Sequence, residues 1–428
     1  MNAARGLLGI TTLLAIAWLL SSDRRRFPIR TVLGGLALQW VLALFVLRTE
    51  AGRAIFDAMA HVVTAVLRGA DEGAAFVFGP LAGNNESVTW KAVAGIKILS
   101  TIIIVSTLSA IGYHYGILQR VVVAMAWAMS RLLRLSGPES LSGAANVFFG
   151  QTEAPLLVRP YLDSMSRSEL MALMTGGFAT VAAGVMAFYV DLLGHGDQTA
   201  RLAVARHLMT ASLMSAPAAF VFAKIMVPPS PDALRELDRA MPAAPIHTRG
   251  LLDAATHGAA EGMKLAINVL AMLIAFIALI ALLDMGLAQI GRIPGLSGVL
   301  GAVGIRQLNL DSLLGLLFAP IAWLNGVHAD DARTVGALLA KSMATNEIIA
   351  YGRLAELSDA GALAERSRLI AIYSLCGFAN FSSIGIQVGG IGSLAPTRRA
   401  DLLALGPRAM LAGAMACWMT GAIAGALL

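Results

Sequence analysis

Two short stretches pair a carboxylate with amide and hydroxyl side chains inside otherwise apolar sequence: Gly150-Gln151-Thr152-Glu153 and Thr345-Asn346-Glu347. A carboxylate near the centre of a bilayer costs at least ~2.5 kcal/mol, so Glu153 and Glu347 are expected to face a bundle interior or a water-filled cavity. In such a place a carboxylate accepts hydrogen bonds from a polar ligand, carries a proton, or serves as half of an acid/base pair. The plainer account makes each a helix-start residue favoured by the helix dipole. A third stretch, Gly377-Phe378-Ala379-Asn380-Phe381-Ser382-Ser383-Ile384-Gly385, sets glycines and small hydroxylated residues where they weaken a continuous helix. Unwound backbone inside a membrane is tolerated only where it is buried in protein or lines a cavity, which favours a binding site. For Ser382 and Ser383 alone, back-bonding to the preceding turn or close helix packing is the competing account.

Other chemistries find no support. The seven histidines form no H-E-x-x-H or i, i+4 ligand pair, and Cys376 and Cys417 lie in apolar surroundings with no metal or redox spacing. There is no G-x-x-x-x-G-K-[ST] for ATP-driven pumping and no G-x-S-x-G for a serine nucleophile. Lys97 and Lys264 fall inside apolar runs near helix ends, where lysines snorkel.

The elements that must position these residues are membrane helices. Of 428 residues, 57% are hydrophobic and 14% charged, against roughly 45–50% and about 25% in a soluble domain. Eight runs are long and apolar enough to span, at about 3–22, 29–47, 92–113, 168–193, 203–227, 263–288, 367–392 and 402–428. A cleaved signal peptide is the alternative for the first, but Asp23-Arg24-Arg25-Arg26 follows it without a small-x-small cleavage site. The net charge of +6 comes from arginines clustered between the runs rather than along one helical face, so nucleic acid is not the expected partner. Counted by loop, the arginines at 24–30, 120–134, 159–167, 235–249 and 398–399 all fall on one side. That side is expected to be the cytoplasm, with both termini outside. This alternation requires the stretches at about 138–163 and 332–358 to be hairpins that enter and return on the same side. The segment at 48–90 reads as an outer-surface helix and loop.

The chain also repeats itself. A proline-rich linker at 231–262 separates a first repeat at 92–230 from a second at 263–428, and residues 1–91 precede both. Each repeat has an amphipathic stretch with Ala-Trp (Trp127, Trp323), then the carboxylate 26 or 24 residues later, then an apolar run broken by small polar residues. The two hairpins open to opposite faces. An inverted repeat with broken helices is the pattern of a secondary transporter with its site at the midplane. The expected fold is therefore an all-α polytopic membrane protein with eight transmembrane helices and two re-entrant hairpins in an inverted repeat.

Three signatures carry a resemblance. Gly150-Gln151-Thr152-Glu153-Ala154-Pro155-Leu156-Leu157-Val158-Arg159-Pro160-Tyr161, Asn346-Glu347-Ile348-Ile349-Ala350-Tyr351 and the stretch from Gly377 to Ile386 resemble those of the bacterial concentrative nucleoside transporters, over about 92–428. The resemblance implies a homotrimer with a scaffold (first three spans and the sixth) and a mobile transport domain (both hairpins and the fourth, fifth, seventh and eighth spans). It further implies uptake of nucleosides, of the uridine, cytidine and adenosine class, by elevator-like movement driven by a sodium or proton gradient. Carried over by position, Gln151, Thr152 and Glu153 would meet the nucleobase, with Val185 and Phe378 packing on the ligand. Glu347, Asn380 and Ser383 would hold the ribose hydroxyls. Sodium would be bound by the side chains of Asn146 and Thr180 and by backbone carbonyls near Phe149 and Val181, and the bulk of Phe149 departs from the pattern. The coupling ion is expected to be Na+. H+ carried by Glu153 or Glu347 is the alternative.

The expectation is a cation-coupled nucleoside importer, an integral protein of a bacterial inner membrane with periplasmic termini and no bound cofactor. Two rivals remain: an intramembrane enzyme using Glu153 and Glu347 as an acid/base pair, and a passive channel.

Overall fold

The structure, a computed structural model, describes residues 2–79, 90–194, 197–230, 249–293, 300, 305 and 307–428. Most of the expected linker, residues 231–248, and residues 80–89 lie outside the described residues. Among the described residues every regular element is helical.

The chain opens with α1 (Asn2–Leu19), α2 (Ile29–Arg48), the long surface helix α3 (Glu50–Phe78) and α4 (Trp90–His114). The repeats then run in the same order. The first has an amphipathic arm α5 (Ile117–Leu133), a hairpin of α6 (Gly137–Asn146) and α7 (Ala154–Leu157), a broken span α8 (Arg167–Ala179) and α9 (Ala183–Gly194), and a continuous span α10 (Gln198–Met226). After α11 (Leu251–Gly291), the second has arm α12 (Leu310–Leu324), hairpin α13 (Ala332–Ala344) and α14 (Glu347–Asp359), broken span α15 (Glu365–Ser374) and α16 (Phe381–Leu394), and continuous span α17 (Arg399–Leu427). The eight expected spans correspond to α1, α2, α4, α8 with α9, α10, α11, α15 with α16, and α17.

Burial is graded as a membrane bundle requires. The spanning windows of α8–α9 and of α10 are 94% buried, whereas that of α11 is 6% buried and presents Ile267, Ile274, Ile277 and Leu282 outward. Lipid tails are as apolar as these side chains, so such a surface is stable in a bilayer without covering.

The linker boundary at 262 is corrected by the structure: α11 already begins at Leu251. The polar residues Asp253, His257 and Glu261 read as loop, but they sit on one side of a helix whose other side packs on α4. The enabling residues are Gly258 and Gly262, one turn apart. A Cβ at Gly258 would come 2.7 Å from the Ser106 carbonyl oxygen, and one at Gly262 would come 2.9 Å from Ile103 Cα. Small residues spaced by four let two membrane helices approach at backbone distance.

The two broken spans meet at their breaks. Thr180 ends α8 in an extended conformation and Asn380 begins α16 in another (φ −119°, ψ 162° and φ −133°, ψ 163°). Gly377 lies against the end of α8, where a Cβ would stand 2.7 Å from the Phe178 carbonyl oxygen. Cys417 of α17 sits between them, with its Sγ 3.3 Å from the Ala179 carbonyl oxygen and 3.0 Å from that of Cys376. A thiol is a weak donor, but it is a donor placed where two interrupted helices leave carbonyls without intrahelical partners.

Candidate functional site

Glu347 is the first residue of α14, set there by Asn346, whose side chain caps the helix by accepting from Ile349 N at 3.0 Å. Its carboxylate is 2% exposed and accepts from Tyr189 OH at 3.1 Å and from Asn380 Nδ2 at 2.8 Å. Asn380 in turn caps α16. Its Oδ1 accepts from Ser383 N at 2.8 Å and Ser382 Oγ at 2.7 Å, so the amide has no freedom to turn its oxygen toward Glu347. Ser383 Oγ accepts from Gln151 Nε2 at 3.2 Å, and Gln151 Oε1 accepts from Gln387 Nε2 at 3.0 Å. Gln387 also donates to the Met174 carbonyl at 3.1 Å. Both hairpin tips and both broken spans thus contribute to one buried polar network, which satisfies groups that an apolar interior would otherwise penalise.

The other expected ligand contacts lie around this network. Val185 is buried on α9, one turn from Tyr189 and on the same helical face. Phe378 is half-buried in the break between α15 and α16. Thr152 lies beside α16, where a Cβ on Gly390 would stand 3.5 Å from its Cγ2. Glu153 stands at the start of α7 with Glu261 and His257 of α11 as its titratable neighbours, and it belongs to no part of the Glu347 network. The two carboxylates therefore form no acid/base pair with each other.

Two of the expected cation ligands, Asn146 and Thr180, both border Gly176. Asn146 is the last residue of α6 and 1% exposed, and neither of its amide atoms has a hydrogen-bond partner. It lies against Gly176, where a Cβ would be 3.0 Å from its Nδ2, and Thr180 Oγ1 donates to the Gly176 carbonyl at 2.9 Å. Ala183 N donates to the Phe148 carbonyl at 3.3 Å, which ties the hairpin tip to the start of α9 just past Val181. The Phe149 ring packs edge-on against Tyr113 of α4 with centroids 5.6 Å apart, so its bulk is absorbed on the α4 side. An orphaned buried amide is costly unless something fills its shell, and its oxygen is the hard donor that a sodium ion takes. Among the described residues no cluster of histidine, cysteine and carboxylate side chains forms a site for a transition metal.

Sequence reasoning missed Tyr189 and Gln387, and it treated Lys97 as a snorkelling residue. The structure corrects the last point: Lys97 Nζ lies 3.1 Å from Asp191 of α9, which also pairs with Arg201 of α10. A polar residue inside an apolar run was the available signal for Gln387 and Asp191. A second ion pair, Lys224–Glu139 at 2.5 Å, joins the end of α10 to the first hairpin, with side chains 5% and 2% exposed.

Comparisons with known proteins agree along the chain. The model described as "Na+ dependent nucleoside transporter C-terminus" matches residues 207–425, its N-terminal counterpart matches 8–81, and a gate model for nucleoside recognition matches 95–196. An uncharacterized transporter of Haemophilus influenzae is 40% identical, over 99% of this chain and 98% of that protein. The sodium/nucleoside cotransporter 1 of Rattus norvegicus is 34% identical over 98% of this chain, which spans 63% of that longer protein. CNTnw in an inward-facing substrate-bound state superposes with a TM-score of 0.88 at 37% identity, covering 100% of this chain and 98% of that one. A doubly substituted CNTnw in an outward-facing state gives 0.87 at 35% identity, again covering 100% and 98%. From the matched models and from relatives aligned over nearly its whole length, the chain belongs to the Na+ dependent nucleoside transporter family.

Proposed function

We propose that this protein is a sodium-coupled nucleoside importer whose ligand is held between the two hairpin tips. The observation that carries the reading is the single network running from Tyr189 through Glu347, Asn380, Ser383 and Gln151 to Gln387, built from both repeats at the meeting of the two broken spans. Glu347 and Asn380, side by side, accept from and donate to a sugar diol. A site built to hydrogen-bond hydroxyls rejects analogues lacking them. Gln151 meets the base, Thr152 and Glu153 border it from the hairpin tip, and Val185 and Phe378 pack on the ligand. Uridine, cytidine and adenosine are the expected substrates.

Asn146 and Thr180, with the carbonyls of Phe149 and Val181, take the sodium ion. Sodium is favoured over a proton because the Asn146 amide is buried without a partner, whereas Glu347 already accepts from two donors. Solved relatives in inward-facing and outward-facing states fit alternating access. The moving part comprises the hairpins with α8–α10 and α15–α17, and α4 and α11 belong to the scaffold. Assembly as a homotrimer in a bacterial inner membrane, with both termini periplasmic, completes the reading.

The test is uptake of radiolabelled uridine into proteoliposomes. Concentration under an inward sodium gradient at equal pH is the expected result. Concentration under a pH gradient alone would move the coupling to a carboxylate, and absence of uptake of uridine, cytidine and adenosine under both would overturn the reading.

A further inference from the structure

Gln387 is 1% exposed, and no ligand role has been assigned to it. Its Nε2 carries two hydrogens. One goes to the Met174 carbonyl at 3.1 Å and the other to Gln151 Oε1 at 3.0 Å. A backbone carbonyl only accepts, so the end of Gln387 facing Met174 must be its NH2. Turning that amide over would set an oxygen against the Met174 carbonyl and lose the bond to Gln151. Gln387 Oε1, on the far side, is buried without a protein partner, so nothing there competes to turn it. With Gln387 fixed as donor, Gln151 must present its oxygen to Gln387 and its NH2 elsewhere. One of those hydrogens goes to Ser383 Oγ at 3.2 Å, and the other is left for a ligand. The polarity of a side chain at the hairpin tip is thus set by a main-chain carbonyl of α8, two amides away.

We infer that Gln387 is a specificity-determining positioning residue: by holding the Gln151 oxygen it makes Gln151 a hydrogen-bond donor toward the ligand, so the site selects nucleobases that present an acceptor there, a carbonyl oxygen or an unprotonated ring nitrogen. The inference rests on the reading that Gln151 meets the base. Because Ser383 Oγ accepts from Gln151, its own hydrogen is free to donate to a ribose oxygen. The same wiring therefore gives the sugar an acceptor at Glu347 and a donor at Ser383.

The test is a cycle of variants at Gln151 and Gln387 in proteoliposomes under a sodium gradient, reading the KM of uridine, cytidine and 2′-deoxyuridine. Uridine and cytidine interchange donor and acceptor around C4 and N3 but share their ribose. Gln387→Met frees the Gln151 amide to present either end, and the uridine-to-cytidine KM ratio moves toward one by about three- to tenfold. The uridine-to-deoxyuridine ratio is unchanged. Gln387→Glu offers only acceptors, turns the Gln151 NH2 toward position 387, and drives the base ratio past one in the opposite sense. In a Gln151→Ala background Gln387→Met adds nothing to the base ratio. A base ratio unmoved by Gln387→Met but moved by Gln151→Ala overturns the inference and leaves the reading of Gln151 standing. A base ratio unmoved by Gln151→Ala overturns the reading of Gln151 and the inference with it. An effect of Gln387→Met that persists in the Gln151→Ala background shows that Gln387 acts by another route, and also overturns it.

Discussion

The buried pair Lys224–Glu139 gives the sharpest prediction about what holds the first hairpin. Glu139 is the third residue of α6, where its Oε1 accepts from Ser136 N at 2.7 Å as half of a capping box. Its other oxygen faces Lys224 Nζ at 2.5 Å, and Lys224 also reaches Ser168 Oγ at 3.1 Å, while Ser168 Oγ donates to the Val227 carbonyl at 2.8 Å. The base of the hairpin, the start of α8 and the end of α10 are thus tied in one knot with both charges inside protein. Removing one partner of a buried pair leaves an uncompensated charge and costs about 3–5 kcal/mol, while replacing both with neutral groups of similar volume is close to neutral. Lys224→Met is therefore expected to destabilise by about that amount, and Lys224→Met with Glu139→Gln to recover most of it, a coupling of several kcal/mol. The assay is thermal unfolding of the purified protein in detergent for the wild type, both single variants and the double. The double variant falling as far as the sum of the singles would refute the reasoning, because it would mean that the two charges do not compensate each other.

Three further outcomes follow from the proposed site. Asn146→Ala is expected to raise the sodium concentration for half-maximal uptake at least ~10-fold and, because binding linkage is reciprocal, to raise the nucleoside KM measured at fixed sodium. Sodium titrations of uridine uptake check both. Glu347→Gln replaces one of two acceptor oxygens by an NH2 donor and is expected to weaken uridine by about 1–3 kcal/mol, with the discrimination against a deoxyribose analogue reduced in competition assays. Lys97→Met removes a contact between α4 and α9 while Arg201 still compensates Asp191, so folding is little affected. The conformational equilibrium is expected to move away from this state by about 1 kcal/mol, roughly fivefold, which spin-label distances between α4 and α9 would report.

How much of this was legible in the sequence depends on how local each signal is. The hairpins and the broken seventh span rest on residues that declare themselves, because polar side chains inside an apolar run are costly unless they bond something. The pairing of Gln151 with Ser383 was not readable, because the two lie 232 residues apart. Asn380 was readable as a break, and its dual role as helix cap and donor to Glu347 follows from the same side chain. Tyr189 was not readable, because a tyrosine in a span is as well explained by packing, and its ring does stack on Tyr351 with centroids 4.3 Å apart. Lys97 was misread because Asp191 lies 94 residues away, and nothing near Lys97 announces a partner. The start of α11 was misread for the converse reason. Its charges are local and loud, whereas Gly258 and Gly262 matter only once α4 is known to lie against them.

The placement of Asn146 and Gln151 on one hairpin bears on why two solutes would move together. Four residues separate them, Asn146 closing α6 and Gln151 entering the network with Ser383 and Gln387. The turn between them is hydrogen-bonded to α9 through Phe148, and its Phe149 ring is lodged on Tyr113. A cation that fills the shell of the Asn146 amide fixes the end of α6, and with it the stretch that delivers Gln151 to the ligand. A nucleoside that engages Gln151 fixes the same stretch from the other side. Each then lowers the ordering cost of the other, which is positive coupling without direct contact between ion and substrate. Coupling of this kind depends on a short, stiff connection, so lengthening the turn by a single glycine after Phe149 is expected to loosen the sodium dependence of nucleoside affinity more than either affinity alone. Equal losses in both, with their mutual dependence intact, would mean that ion and nucleoside communicate by another path.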